Sequence, residues 1–407
     1  MADGRRLRIG IAGAGPGGLA AALVLARDGH EVHVYERHPA LAPVGAGLLI
    51  QPQGLEALAA LGLAAPFEAA SVPVTRLLGH SHRGWTLVDL DLARRPARGV
   101  SRAQLAGVLY PVARAAGAVV HFGHEVVHVA PADVQGTSVP PALVRLRPTN
   151  AQGQLLPPEV AAAQEERFDL FVVANGAASA LREPAGLAAA AVPYPWAALW
   201  GQFTVPGWAA PRDLLQRYRG TRHMVGLLPT EMTPQGIRLS LFWSLRRDAY
   251  EDWRAQDIGV WKRMVLDLWP EAVDVVEQVR RHDDLALAVY RHSWPRRMAR
   301  APFAVLGDAA HAMSPQLGLG TTLALQDALG LGTALRGHGA VADALRAYER
   351  DRLLPARAYQ TLSRLLTPCF QGTYGGWLRD LAFAGGRHVP GVQWAMRRSL
   401  AEPPPGT

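Results

Sequence analysis

The first chemistry legible in the chain lies in three glycines and an acid: Gly13, Gly15 and Gly18 within Gly13-Ala14-Gly15-Pro16-Gly17-Gly18, and then Glu36. Each glycine serves a different purpose. Gly13 permits a tight turn, Gly15 lets the backbone approach a pyrophosphate, and Gly18 lets a helix sit close on a strand. Glu36 stands 18 residues past the last glycine, the spacing expected of a carboxylate that reaches a ribose diol. Such an acceptor suits an adenosine with a free 2′-hydroxyl, which FAD and NAD both carry.

The elements that must position these residues are readable around them. Leu7, Ile9 and Ile11 alternate as a short buried strand does, a helix is expected from Leu19 to about Asp28 with Gly29 as its stop, and Glu31–Glu36 forms a second strand. A glycine motif alone is weak evidence. Held between strand and helix, with an acid at the right distance, it becomes a dinucleotide fingerprint.

A second loop of the same kind appears in GDAAHAMSPQLGLGTTLALQDA, residues 307–328. Val305 and Leu306 end an apolar strand, Asp308 follows Gly307, and a helix opens near Gly320. Its first backbone N–H groups lack partners and attract an electron-rich oxygen, worth roughly 0.3–1 kcal/mol for a negative charge. One glycine loop suffices for a simple NAD dehydrogenase. A second suits a flavin, whose reduced ring is anionic at its N1–C2=O edge. Asp308 then accepts a hydrogen bond from a ribityl hydroxyl, or else merely caps a turn. No second G-x-G-x-x-G is present for a resident nicotinamide cofactor.

Composition excludes several other classes. Hydrophobic residues make up 49% and charged residues 19% of 407, the balance of a globular enzyme of one large or two joined domains. The net charge of +8 comes from arginine spread along the chain, Lys262 being the only lysine, with no basic block for nucleic acid or a membrane surface. Cys369 is the single cysteine, which leaves no internal disulfide or cysteine-based metal site and fits a reducing cytoplasm. No metal is expected. Glycines and Pro16 interrupt the first apolar run, against an export signal, and no apolar run is long enough to span a membrane.

Four segments together resemble the single-component FAD-dependent aromatic-ring monooxygenases, the p-hydroxybenzoate hydroxylase and salicylate hydroxylase type. They are IGIAGAGPGGLAAALVLARDGHEVHVYER, VGAGLLIQPQGLEALAALGL, FDLFVVANGAASALR and VLGDAAHAMSPQLGLGTTLALQDA, in the family's order. YQTLSRLLTPCFQGTYGGWLRDL resembles the helical tail of one bacterial branch. The resemblance implies an α/β fold: an FAD-binding Rossmann-like (GR2-type) domain over 1–75, 97–190 and 285–345, an inserted antiparallel-sheet substrate domain over 76–96 and 191–284, and a helical C-terminal segment over 346–407. It implies that Glu36 and Arg37 meet the adenosine and its phosphates, that Ala46, Gly47 and Leu48 lie along the isoalloxazine, and that Arg102 reaches the phosphate or ribityl region. Val126 would present backbone to adenine and Asp308 would bind the ribityl chain. Pro315 would lie beside the ring, with Gly318, Leu319, Gly320 and Thr321 against its O2 and N1. His311 is read as structural.

Two positions depart from the family. Asn175-Gly176 stands where Asp-Gly is usual, ahead of the expected Ser179 and Arg182, so a hydrogen-bond acceptor is kept and a charge lost in a segment tied to pyrophosphate and pyridine-nucleotide use. Leu319 and Thr322 replace a glutamine and an asparagine.

Between the flavin segments, WGQFTV, LLQRYRG, HMVGLLP and IRLSLFW read as an antiparallel sheet, followed by a mainly helical run from Asp252 to Gln278 and preceded by an elongated hairpin over Val129 to Glu166. One face of the sheet is expected to carry Gln202, Tyr218 and His223 as substrate-pocket candidates, Tyr218 or His223 managing a phenol proton. Arg217 and Arg222 are candidates for a carboxylate, and Trp196, Trp200 and Trp243 hint at a broad aromatic cavity. Each has an ordinary packing or surface reading as well. The tail AEPPPGT is expected to be disordered.

The reaction the resemblance implies is hydroxylation of an electron-rich small aromatic by O2, with NAD(P)H as a transient co-substrate and a flavin C4a-hydroperoxide transferring oxygen, in a monomer or homodimer. The rivals are an FAD oxidase or dehydrogenase of the same fold, a flavin-binding protein without turnover, and a halogenase, for which Lys262 is the sole lysine.

Overall fold

The computed structural model describes residues 6–41, 47–134, 139–187, 189–372 and 380. Arg8–Ala12, Pro16–Arg27 and Glu31–Glu36 form the expected strand, helix and parallel strand. The helix starts ahead of Leu19 because Pro16, with φ already fixed, is favourable in the first turn. These strands sit in a six-stranded sheet ordered Ala299–Arg300, Phe303–Val305, Leu170–Val173, Arg8–Ala12, Glu31–Glu36, Val119–Phe122. Leu170–Val173 is buried at every position, as a strand covered on both faces must be. The helices Pro16–Arg27, Arg102–Ala115 and Gly320–Gly337 pack together beside it.

The middle of the chain builds a seven-stranded sheet. Its order is Ala286–Pro295, Ala189–Val205, Gly236–Arg246, His223–Thr233, Asp213–Arg219, Arg76–Ser81, Thr86–Asp91. Alternation divides its two faces. Leu199, Val225 and Trp243 point to one side, where Trp261, Val265 and Leu268 of the helix Ile258–Leu268 cover them in a separate core. Burying Val265 and Leu268 there is worth about 1.5–3 kcal/mol each. Trp200, Met224 and Phe242 point to the other side.

One strand lies across an expected boundary. Ala286–Pro295, placed by the sequence on the cofactor side of residue 285, hydrogen-bonds along Ala189–Val205 as the outer strand of the large sheet. The hairpin expected over Val129 to Glu166 is a three-stranded sheet of His124–Pro131, Ala142–Pro148 and Gln164–Phe168.

A third small sheet, Gly47–Ile50, Ala97–Ser101 and Val72–Val74, presses on the large one through glycine. A Cβ on Gly99 would stand 1.9 Å from the Pro229 carbonyl oxygen. Only an absent side chain lets the layers approach so closely.

The helix Val341–Phe370 follows the cofactor segments. Residues 373–379 and 381–407, including AEPPPGT, lie outside the described residues, as does Ala46. No helix among the described residues is long and apolar enough to cross a membrane.

Candidate active site

Both glycine loops open onto one cavity of about 1790 Å3, above the roughly 300–1,000 Å3 of sites for single small ligands. At the first loop Gly13 adopts φ +99°, and its amide donates to the Tyr35 carbonyl at 2.8 Å. A Cβ on Gly18 would lie 2.0 Å from the Gly13 oxygen, so the helix docks on the turn only because position 18 is glycine. At Gly15 nothing stands within 4 Å of where a side chain would be. That open space is part of the cavity.

Glu36 is held by two amides: Oε2 accepts from Ala14 at 2.9 Å and Oε1 from His38 at 3.0 Å. Its carboxylate still lines the cavity, with Arg37, Arg102 and Val126 nearby in the same lining. The helix Pro16–Arg27 has neither a capping side chain nor an acid in its first turn, which leaves its N-terminal donors for a ligand. Arg102 opens the helix Arg102–Ala115, fixed by a capping box between Ser101 and Gln104.

The second loop is braced from beneath. Asp327, fully buried, accepts from the Gly307 amide at 3.0 Å, His311 Nε2 at 2.6 Å and Arg352 Nε at 2.8 Å. Burial would raise its pKa, but the charges of His311 and Arg352 and these bonds more than offset that and hold it at about 2. His311 is therefore a buried strut. Arg182 performs a similar task, donating to Ser293 Oγ at 2.8 Å and the Ala309 carbonyl at 3.0 Å, with its pKa lowered by burial and by Arg291.

On this base Gly307 turns at φ +59° and Gly318 at φ +63°. Asp308 is exposed to the cavity, and Pro315, Gly318, Leu319, Gly320 and Thr321 line it with Gly47 and Leu48. The helix Gly320–Gly337 again starts without a side-chain cap or an early acid. Asn175 lines the cavity behind Gly13. An open cradle at Gly15, two uncapped helix starts, and carboxylates at Glu36 and Asp308 form a donor and acceptor set that fits an extended FAD. Among the expected cofactor residues, Ala14 acts through Glu36 and Gly18 is tucked under the turn.

The far end of the cavity lies against the inner face of the large sheet, and here the sequence reading needs correction. Tyr218 lines it, but His223 does not. The hairpin pairs Tyr218 with Met224 and Arg219 with His223, so His223 points to the opposite face, where its ring stacks on Trp243 at 5.3 Å. Its pKa is lowered by burial and by Arg219 and Arg222. Gln202 pairs with Ser240 and is not part of the lining. Arg217 also turns away, 4.8 Å over the Trp269 ring. Of the three tryptophans, Trp200 lines the cavity, whereas Trp243 belongs to the helix-covered core and Trp196 is buried elsewhere. Lys262 is paired with Glu277 at 2.9 Å.

Sequence reasoning missed several lining residues. Tyr290 accepts from Trp200 Nε1 at 3.0 Å, and Gln216 Oε1 accepts from the Tyr218 hydroxyl at 2.6 Å. Gln371, just past the long helix, accepts from Gln316 Nε2 at 2.6 Å and from the Tyr194 hydroxyl, and donates to Ser244 Oγ at 3.1 Å. Strand alternation would have pointed to Gln216 once the register was known; nothing local marks Gln371.

Comparison with known proteins agrees with this geometry. The profile of the FAD binding domain family matches residues 6–363. The chain is 29% identical to a 2-heptyl-3-hydroxy-4(1H)-quinolone synthase of Mycobacteroides abscessus, covering 87% of this chain and 88% of that one. It is 30% identical to a kynurenine 3-monooxygenase of Salinispora arenicola, over 86% and 76%. Among solved structures, Klebsiella pneumoniae HpxO complexed with FAD and uric acid superposes with TM-score 0.74 at 23% identity, covering 96% of each chain. The 2-methyl-3-hydroxypyridine-5-carboxylic acid oxygenase does so with TM-score 0.71 at 23% identity, over 93% and 96%. The chain belongs to the FAD binding domain family and is a flavoprotein oxidoreductase of the single-component aromatic monooxygenase type.

Proposed function

We propose that the protein hydroxylates an electron-rich small aromatic molecule, using O2 and NAD(P)H. One observation carries the reading: the single cavity lined by both cofactor cradles is lined as well by Trp200, Tyr218, Phe242 and Tyr290 of the large sheet. FAD, when bound there, supplies the oxygen-activating redox chemistry, with NAD(P)H as a visiting reductant.

The chain's own residues bind, orient and exclude water. The amides of Gly15 and Gly17 receive the pyrophosphate, Glu36 the adenosine ribose and Asp308 the ribityl chain. The N-terminus of Gly320–Gly337 stabilises negative charge at the ring edge. Phe242 and the apolar helix end keep the reacting atoms dry, and Tyr290 with Gln216 supplies neutral hydrogen-bonding groups to orient a ring. Similarity to a urate hydroxylase of Klebsiella pneumoniae and to a kynurenine 3-monooxygenase supports an aromatic substrate.

Asn175, neutral in the lining, keeps an FAD oxidase or dehydrogenase of the same fold as the second reading. The deciding experiment identifies the bound chromophore and screens phenols, anilines and indoles for NADH or NADPH consumption under labelled O2. Label in the product supports the hydroxylase. Unlabelled product with stoichiometric peroxide overturns it.

A further inference from the structure

The compartment beyond the cofactor cradles has an unusual charge balance. Its walls are apolar: Phe242 and Leu228 from the sheet face Leu362, Leu366 and Phe370, which recur every four residues as a single stripe of the helix Val341–Phe370. None of the acidic, arginine or histidine residues in the lining is buried. Asp89 and Asp91 are on the exposed edge strand, Arg102 is solvent-exposed although its charge reaches Tyr290, and Arg291 bears on Arg182.

The polar groups that do face this space are neutral and arranged in pairs. Tyr218 donates to Gln216, which occupies the amide oxygen and leaves its N–H groups. The Tyr290 oxygen accepts from Trp200, and among the described residues no acceptor takes the Tyr290 proton. Burial raises the Tyr290 pKa well beyond the ordinary phenol range, so that hydroxyl stays a donor throughout the neutral range.

A carboxylate moved against these walls would lose its hydration without meeting a buried cation. An alkyl group would gain from the same surroundings. We propose that the compartment takes an uncharged aromatic ligand carrying an apolar substituent, a ring oxygen or carbonyl accepting the Tyr290 proton and the substituent running along the Leu362, Leu366 and Phe370 stripe. This deepens the hydroxylase reading and rests on it for the ring's place beside the flavin.

The test is binding to the oxidised FAD-loaded protein without reductant, followed by tryptophan fluorescence and by perturbation of the flavin absorption band. The probes are phenol, 4-butylphenol and 4-(4-hydroxyphenyl)butanoate, the last two having similar reach and differing in the terminal charge. 4-Butylphenol is expected to bind at least tenfold tighter than phenol, and at least tenfold tighter than the carboxylate. Tyr290→Phe is expected to weaken 4-butylphenol at least fivefold. Leu366→Gln, at the half-buried stripe, is expected to remove the advantage of the butyl group and leave phenol unchanged; FAD content and Tm confirm that both variants are folded. Equal or tighter binding of the carboxylate, or an unchanged affinity in Tyr290→Phe, overturns the proposal. Because no turnover is read, a protein that prefers 4-butylphenol yet never hydroxylates it would sink the hydroxylase reading and keep this one.

Discussion

The Gly47 amide donates to the Ser240 hydroxyl at 2.9 Å, joining the cavity-lining strand Gly47–Ile50 to the inner face of the large sheet across 193 residues of sequence. The contact is buried, and a Cβ on Gly47 would lie 2.6 Å from Ser240 Cβ. Gly47→Ala should therefore force the two sheets apart and cost about 1–3 kcal/mol, with weaker FAD binding. Ser240→Ala should cost about 1 kcal/mol by leaving the amide unpaired. Urea denaturation and FAD titration of the apoprotein measure both; an unchanged Gly47→Ala would mean that the layers are not locked at this point.

Gly18 and Gly107 make a matched pair of helical glycines with opposite expected outcomes. Gly18→Ala meets the Gly13 oxygen and should reduce FAD affinity at least tenfold. Gly107, exposed in the helix Arg102–Ala115 with open space around it, should gain about 0.5–1 kcal/mol on replacement by alanine. Thermal denaturation with and without FAD separates the two effects.

Asp327→Asn should cost about 3–5 kcal/mol, since it leaves buried His311 and half-buried Arg352 without their carboxylate. In the native protein the depressed pKa makes the pair's contribution fully present above about pH 4 and lost as pH falls toward 2. Between pH 6 and 8 the penalty of the variant should be constant. A penalty confined to low pH would contradict the buried pairing.

His223 gives a second pH dependence with the sign set by a lowered basic pKa. The folded protein favours the neutral ring, so this contribution is complete above about pH 6.5 and declines as pH falls. His223→Phe keeps a ring against Trp243 and should shrink the Tm difference between pH 7.5 and pH 5. Binding of 4-butylphenol should be unaffected. A loss of that binding would return the side chain to the cavity.

Much of the cofactor end was legible because its chemistry is local. Gly13, Gly15, Gly18 and Glu36 lie within one strand-helix-strand unit, and Asp308 to Thr321 within one loop and helix start, so spacing alone brings each set together. The substrate end was not, because it depends on register. Between Arg219 and His223 the turn pairs even positions with even ones, which puts Tyr218 beside Met224 and sends His223 through the sheet; a hairpin one residue longer would have reversed that. Tyr290 was hidden for a related reason. Its strand directly precedes the second cofactor segment in sequence but bonds to the other sheet.

The sequence by itself determined two glycine-bearing helix starts and an acid of the kind that suits a dinucleotide, since glycine spacing and hydrophobic alternation act over a few residues. Only the tertiary structure decided that both cradles share one cavity, and that Trp200, Tyr290 and the stripe from Leu362 to Phe370 close its far end. These residues come from separate stretches of the chain, and they meet through strand pairing and helix packing, which no local pattern encodes.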